Sequence, residues 1–321
     1  MHKKHNILIT AIGGDIGQAV ARVLRRLDIV DRIIGTDMSD DHAGRFFVDR
    51  CYTVSRADDQ GFLGQLKALV EKEHVDFVIP ISEPELKVMH QAQQDGTWDA
   101  SQLVIPQGNV VSICLDKFET IQCFKKAGMS TPWTQLVQDG DPPEVPCILK
   151  DRWSWGSKSI VMIQDRDMAR LYARYRPNAL FQELLLPDEE EYTCGVFRSN
   201  IGQIATVAFK RALTGGYTGK AVVVQDESMQ KLCTRVAEVL NLRGSINVQL
   251  RKTVQGPMLF EINPRFSSTV LFRELIGFRD VLWSLQDLLG EKPDLTFSPP
   301  VGVRIYRVST EKIVNAKKEY V

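Results

Sequence analysis

Residues 260–266 read FEINPRF and set a carboxylate, a carboxamide and a guanidinium at alternate positions, Glu261, Asn263 and Arg265. On a strand, side chains two apart project from one face at about 6.5–7 Å spacing, so Glu261 and Asn263 would look the same way. Two hard oxygen donors side by side suit Mg²⁺, which takes one or two carboxylates and completes its octahedron with phosphate oxygens and waters. Arg265 would then meet a phosphate. Taken alone, the same seven residues fit a strand with a solvated polar face that turns at Asn263-Pro264. Just upstream, INVQL at 246–250 is a second strand candidate, with Gly256-Pro257 as the turn between the two. Antiparallel pairing of these strands would bring Gln249 beside Glu261 and add a third oxygen.

Four other stretches have the residue types of an anion site. PCILKDRWSWGSKSI at 146–160 is a strand ending in Lys150, a loop with Ser154, Gly156, Ser157 and Lys158, and a second strand. Small residues there let backbone N–H groups approach phosphate oxygens while lysines supply counter-charge; a hairpin with solvated lysines accounts for the same letters. It lacks the G-K-[ST] ending of a P-loop. ALFQELLLPDEEEYTCGVF at 179–197 joins an apolar strand to an acidic loop, where main-chain groups could read an adenine edge and an acid could bind ribose, or where a solvated turn stands. KRALTGGYTGK at 210–220 reads as a glycine-rich basic loop, of the kind that closes over anionic substrates or simply lies flexible on the surface. AIGGDIG at 11–17 follows a strand and opens a helix, with Asp37 about 20 residues on, as in a dinucleotide site. Its spacing is not G-x-G-x-x-G, and Asp15 would put a negative charge where a phosphate lies.

The elements that must position these residues divide the chain. NILITAI, a helical IGQAVARVLRRL, RIIGTD, FLGQLKALVEKE, DFVIPI and ELKVMHQAQQ alternate strand with helix, which specifies an open parallel α/β domain ending near residue 115. From Asp116 the pattern becomes α+β. DKFETIQCFKKAG is a helix with Asp116 as N-cap and Gly128 just past its end. Strand candidates then follow one another without helices between them, which implies antiparallel pairing. Helical stretches near 165–174, 226–240 and 269–290 would cover these sheets, and VGVRIYRVS from 301 reads as a last strand.

At 321 residues the chain exceeds one hydrophobic core. Hydrophobic residues at 44% and charged residues at 25% exclude disordered and fibrous classes. Forty basic and 40 acidic residues balance, so no global attraction to nucleic acid or anionic membrane is expected. Six cysteines without C-x-x-C spacing read as reduced core residues. The opening MHKKHNILITAIGG is interrupted by Gly13, Gly14 and Asp15 before a leader's apolar core could form, and no apolar run is long enough to span a bilayer. The expectation is a cytoplasmic protein with small-molecule partners, and a homodimer on base rates.

Taken in order, an α/β domain, DKF, a strand ending in lysine before a glycine loop, QELL, a basic glycine loop, NVQL and EINPRF resemble the ATP-grasp superfamily. The likeness is to its carbamoyl-phosphate-synthase-like carboxylate-amine ligases and spans nearly the whole chain. It implies a pre-ATP-grasp α/β domain over 1–115 and an ATP-grasp domain over 116–321, with subdomains 116–185 and 186–321. It implies ATP with two Mg²⁺ ions, or Mn²⁺ in their place. Lys117 would contact a phosphate, Lys150 the α- and β-phosphates, and Ser154 to Lys158, including Ser157, would be a flap. Gln182, Glu183, Leu184 and Leu185 would form the adenine hinge, with Glu191, or Glu190 in its place, on the ribose. Arg211 and Lys220 would face the γ-phosphate, Gln249, Glu261 and Asn263 would hold the ions, and Arg265 would steady the transferring phosphoryl group. The substrate pocket would be lined partly by Ser267, Ser268, Thr269 and the loop around Glu83. The function so implied is an ATP-dependent C–N ligase that makes an acyl phosphate and gives it to an amine. A non-catalytic ATP-binding module and, on GGDIG and Asp37, an NAD-dependent oxidoreductase are the competing readings.

Overall fold

The first apolar run, His5–Ile9, is strand β1, and each polar or glycine break after it ends an element. In the computed structural model, which describes residues 3–153 and 160–314, the order continues α1 (Asp15–Leu24), β2 (Val30–Asp37), β3 (Arg50–Thr53), α2 (Phe62–Lys72), β4 (Phe77–Ile79), α3 (Glu83–Gln94) and α4 (Val110–Leu115). The four strands form a parallel sheet in the order β3-β2-β1-β4. Strand alternation sends Leu8, Ile34 and Val78 to one side, against Phe62, Leu66, Leu86 and Met89 of α2 and α3. Ile7, Ile9, Ile33 and Ile79 go to the other side, under α1.

Helix α5 (Lys117–Lys126) starts at Asp116, whose carboxylate accepts from the backbone N–H groups of Phe118 and Glu119 at 3.0 and 3.1 Å. It ends at Gly128, where a φ of 72° lets Met129 N–H reach Phe124 O. Next come β5 (Thr134–Leu136), β6 (Cys147–Asp151), β7 (Val161–Ile163), α6 (Arg166–Tyr175) and β8 (Ala179–Glu183), the strands forming an antiparallel sheet ordered β5-β8-β6-β7. A larger sheet, β13-β12-β9-β10-β11-β14, is built from β9 (Glu191–Arg198), β10 (Ile204–Thr214), β11 (Tyr217–Val224), β12 (Gly244–Thr253), β13 (Gly256–Asn263) and β14 (Arg304–Tyr306). Helix α7 (Glu227–Val239) packs on one of its faces.

The stretch near 269–290 is two helices, α8 (Val270–Leu275) and α9 (Asp280–Leu288), not one. Gly277, at φ 91°, closes α8 with Phe278 N–H on Arg273 O at 2.9 Å. Residues of these helices, Val270, Leu271, Val281 and Leu285, join the core beneath β1 and α1, so the last helices fasten the first sheet to the third. The six cysteines are free. Among the described residues no helix is long and apolar enough to cross a membrane.

Candidate active site

The register of the six-stranded sheet gathers one set of polar side chains on one face. Gln249 lies opposite Glu261 on β13 and Thr193 on β9; Arg251 lies opposite Glu191. Paired residues project together, so Glu191, Thr193, Gln249, Glu261 and, two residues on, Asn263 share that face. Arg211 of β10 joins them, donating to Glu191 Oε1 through Nε at 2.9 Å and to Gln249 Oε1 through Nη2 at 3.0 Å. Arg251, to which sequence reasoning gave no role, donates to Glu191 Oε2 at 2.9 Å and to the carbonyl of Leu185 at 2.6 Å. Its signal was parity, since it follows Gln249 by two in INVQLRK. Asn263 Nδ2 lies 3.3 Å from Glu261 Oε1.

A second group closes over the end of this face. Lys150, at the end of β6, is buried and donates from Nζ to Phe260 O at 3.2 Å, which sets its ammonium against the strand of Glu261. Burial lowers its pKa to about 8, against the pull of Glu261, and Lys117 lowers it further. Lys117, also buried, begins α5, and its backbone N–H bonds Arg152 O at 3.2 Å. Arg152 in turn grips Asp116 through Nε at 2.8 and 2.9 Å, so the residue that caps α5 also ties it to the loop after β6. Arg265 Nη2 approaches Glu83 Oε1 at 3.4 Å. Burial pushes the Glu83 carboxyl up, partly offset by Arg265 and Lys117. Glu83 also lines a cavity of about 520 Å³ beside Asp37, Met38 and Trp153, within the usual size range of small-molecule sites.

Several expectations need correction. Lys220 does not accompany Arg211. It pairs with Ala212 while Arg211 pairs with Ala221, so the two bases sit on opposite faces, and the Lys220 ammonium lies 5.5 Å from the Tyr306 ring. The basic loop at 210–220 is the β10–β11 hairpin, turned at Gly215 and Gly216 with φ of 59° and 88°, a two-residue turn that favours glycine. Glu190 is likewise on the far face, paired with Lys210 and 2.5 Å from the Tyr192 hydroxyl, which leaves Glu191 on the face of Glu261. In the hinge, Gln182 pairs with both Thr134 and Ile148, and Glu183 N–H bonds Trp133 O at 3.0 Å. Their main chain is inside the ladder, and Leu184 and Leu185 follow the strand. Ser267 and Thr269 are buried, with their hydroxyl oxygens 2.9 Å apart. Asp37 accepts from Gly13 N–H at 2.8 Å and so closes the glycine turn where a ribose would bind. The flap residues Ser154 to Lys158, Ser157 among them, lie outside the described residues.

The donor set suits a hard divalent ion. Glu261 offers one carboxylate, and Gln249 and Asn263 offer carboxamide oxygens; among the described residues no three His, Cys, Asp or Glu side chains gather as a dedicated metal cage. Such a sparse protein set would fit an ion that completes its shell with phosphate oxygens and waters; Arg211 bonds Gln249 and Lys150 meets the strand of Glu261.

Sequence reasoning also missed a buried knot beside this face. Arg273 of α8 is fully buried, donating to Asp280 at 2.9 Å, to Asn247 Oδ1 at 2.5 Å and to Ser267 Oγ at 3.1 Å.

Residues 176–311 match the family described as ATP-grasp in the biosynthetic pathway with Ter operon, and residues 7–99 match the PylC-like N-terminal domain. No curated protein matches the chain in sequence. Among solved structures, an N5-carboxyaminoimidazole ribonucleotide synthetase in complex with ADP superposes with a TM-score of 0.69 at 19% identity, covering 94% of this chain and 79% of its own. The biotin carboxylase domain of the Hydrogenobacter thermophilus 2-oxoglutarate carboxylase gives 0.72 at 14%, covering 92% and 72%. An L-amino acid ligase from Bacillus licheniformis gives 0.68 at 16%, covering 90% and 75%. Residues 7–99 are thus similar to a PylC-like N-terminal domain and residues 176–311 to an ATP-grasp domain.

Proposed function

We propose that the protein is an ATP-dependent ligase that activates a small-molecule carboxylate as its acyl phosphate and joins it to an amine, releasing ADP and phosphate. The observation that carries this reading is the convergence of Gln249, Glu261 and Asn263 on one sheet face, with Lys150 reaching across from another sheet to the same strand. The structural neighbours support it: one is named as an amino acid ligase, and two were crystallised with ADP, one of these as its magnesium salt. On the same basis we assign the three sheets to divisions 1–115, 116–185 and 186–321.

The chemistry brings a carboxylate to a triphosphate, anion to anion. Mg²⁺ held by Glu261, Gln249 and Asn263 would offset phosphate charge. Arg211 and Arg265 bring guanidinium donors toward the same end of the sheet, and Lys150 supplies a cation that burial keeps strong because little water screens it. With pKa about 8 it is protonated at neutral pH. The substrate carboxylate oxygen bonds to the γ-phosphorus as the bond to the ADP oxygen breaks. The amine then bonds to the acyl carbon, phosphate leaves with the electron pair, and the amine sheds a proton. The cavity lined by Glu83, whose carboxylate Arg265 approaches, is where these substrates would lie. Glu191, held between Arg211 and Arg251, is the acid placed to meet a ribose. A screen of carboxylate and amine pairs for ADP release, with mass detection of the product, tests the proposal. ADP release that no pair stimulates, despite MgATP binding, would favour a non-catalytic ATP-binding module.

A further inference from the structure

Among the described residues Arg273 is the largest fully buried side chain, and its surroundings are shaped for it. Asp280 accepts from Nη1 at 2.9 Å and also from Ser245 Oγ at 2.7 Å. On the other side, Nη2 donates to Asn247 Oδ1, which accepts Thr193 Oγ1 as well, at 2.8 Å. Space for the guanidinium comes from Gly195, the residue beside Asn247 on β9, where a Cβ would stand 2.8 Å from Arg273 Nε. A glycine inside a buried strand otherwise costs stability, and here it marks a close approach.

Arginine only donates hydrogen bonds. The Asn247 carboxamide must therefore turn its oxygen toward Arg273, and its Nδ2 hydrogens point away from the knot. Asn247 is directly opposite Asn263 in the β12–β13 register, so both side chains stand on the face of Glu261 and Gln249. We propose that Arg273, held by Asp280, is a positioning residue of the ATP site: it fixes the Asn247 carboxamide so that Nδ2 offers a donor to the bound nucleotide beside Asn263. This inference rests on the ATP-dependent reading above.

The test uses the full chain and MgATP alone as the probe, with affinity read by calorimetry and folding by the thermal midpoint. Asn247→Ala is expected to weaken MgATP about tenfold, the scale of one lost hydrogen bond to a charged group. Arg273→Lys is expected to weaken it severalfold in the wild-type background and less than about twofold in the Asn247→Ala background, because it acts through that residue. Equal factors in both backgrounds overturn the proposal. Asn247→Asp keeps an acceptor for Arg273 and deletes the donor, so it remains informative if Arg273→Lys does not fold. Weakened MgATP binding with a thermal midpoint near wild type supports the proposal, and unchanged affinity overturns it. If the wild-type chain binds no MgATP, the ATP-dependent reading fails together with this one; binding by wild type with unchanged Asn247→Asp affinity sinks only the positioning role.

Discussion

The two faces of the six-stranded sheet are made from alternate residues of the same strands, yet they resist change differently. Toward α7 lie Cys194, Val196, Val248, Leu250 and Ile262, buried in an apolar core. The other face carries Glu191, Thr193, Arg211, Asn247, Gln249, Glu261 and Asn263, with Glu191 bonded to two arginines, beside an apolar cluster of Phe197, Val207, Phe209, Ala221 and Val223. The first face is held by area removed from water, a non-directional force tolerant of small shifts. The polar part of the second is held by directed hydrogen bonds, several of them to ionised groups, where a displaced partner leaves a charge half desolvated. Within the polar part, odd and even positions divide, so that neighbours such as Glu190 and Glu191, or Lys210 and Arg211, stand on opposite faces.

Substitutions on each face should separate these contributions. Glu261→Gln should lower ADP formation by roughly 10²–10⁴-fold, the several kcal/mol that a charge-neutralising ion supplies, while the urea midpoint stays near wild type. A normal rate in that variant would remove the polar face from the chemistry. Leu250→Ala on the opposite face should cost about 2–5 kcal/mol in urea unfolding and leave the turnover of the folded fraction unchanged. Loss of turnover without loss of stability there would dissolve the contrast.

Lys150 sharpens the comparison through pH. Its ammonium, lowered by burial to about 8, gains stabilisation from a bound triphosphate, so binding above that pH requires proton uptake. MgATP affinity should therefore fall as pH rises through about 8, by up to about tenfold per unit, and Lys150→Met should flatten the profile. The sign for stability is opposite. Between about 8 and 10.5 the folded chain holds fewer protons than the unfolded one, so the Lys150 contribution to stability improves as pH rises across that window. The smallest effects belong to the far face: Lys220→Ala and Glu190→Gln should each change MgATP affinity less than about twofold and stability by about 0.5 kcal/mol or less. A large effect of either, measured by calorimetry, would show that the parity division fails.

Much of the site was legible because strand periodicity is local. Glu261 and Asn263 two apart, and Gln249 one turn upstream, required only that two neighbouring strands pair, and the register places Gln249 opposite Glu261. Lys220 and Gln182 were misplaced for a related reason: a glycine-rich segment looks the same whether it loops or turns a hairpin, and QELL does not reveal that β5 and β6 flank Gln182. Arg251 and Arg273 were passed over because nothing in a charged letter says whether it is solvated or buried.

From local order alone came the strand and helix succession, the N-cap at Asp116, the glycine end of α5 and the oxygen-bearing strand, since backbone sterics and side-chain periodicity act over a few residues. Only the folded chain decided that Lys150 reaches the strand of Glu261 from another sheet, that α8 and α9 lock the first sheet to the third, and that an arginine lies sealed behind Asn247. These are contacts between residues about 26 to 280 positions apart, and their geometry is set by packing, which no local pattern encodes.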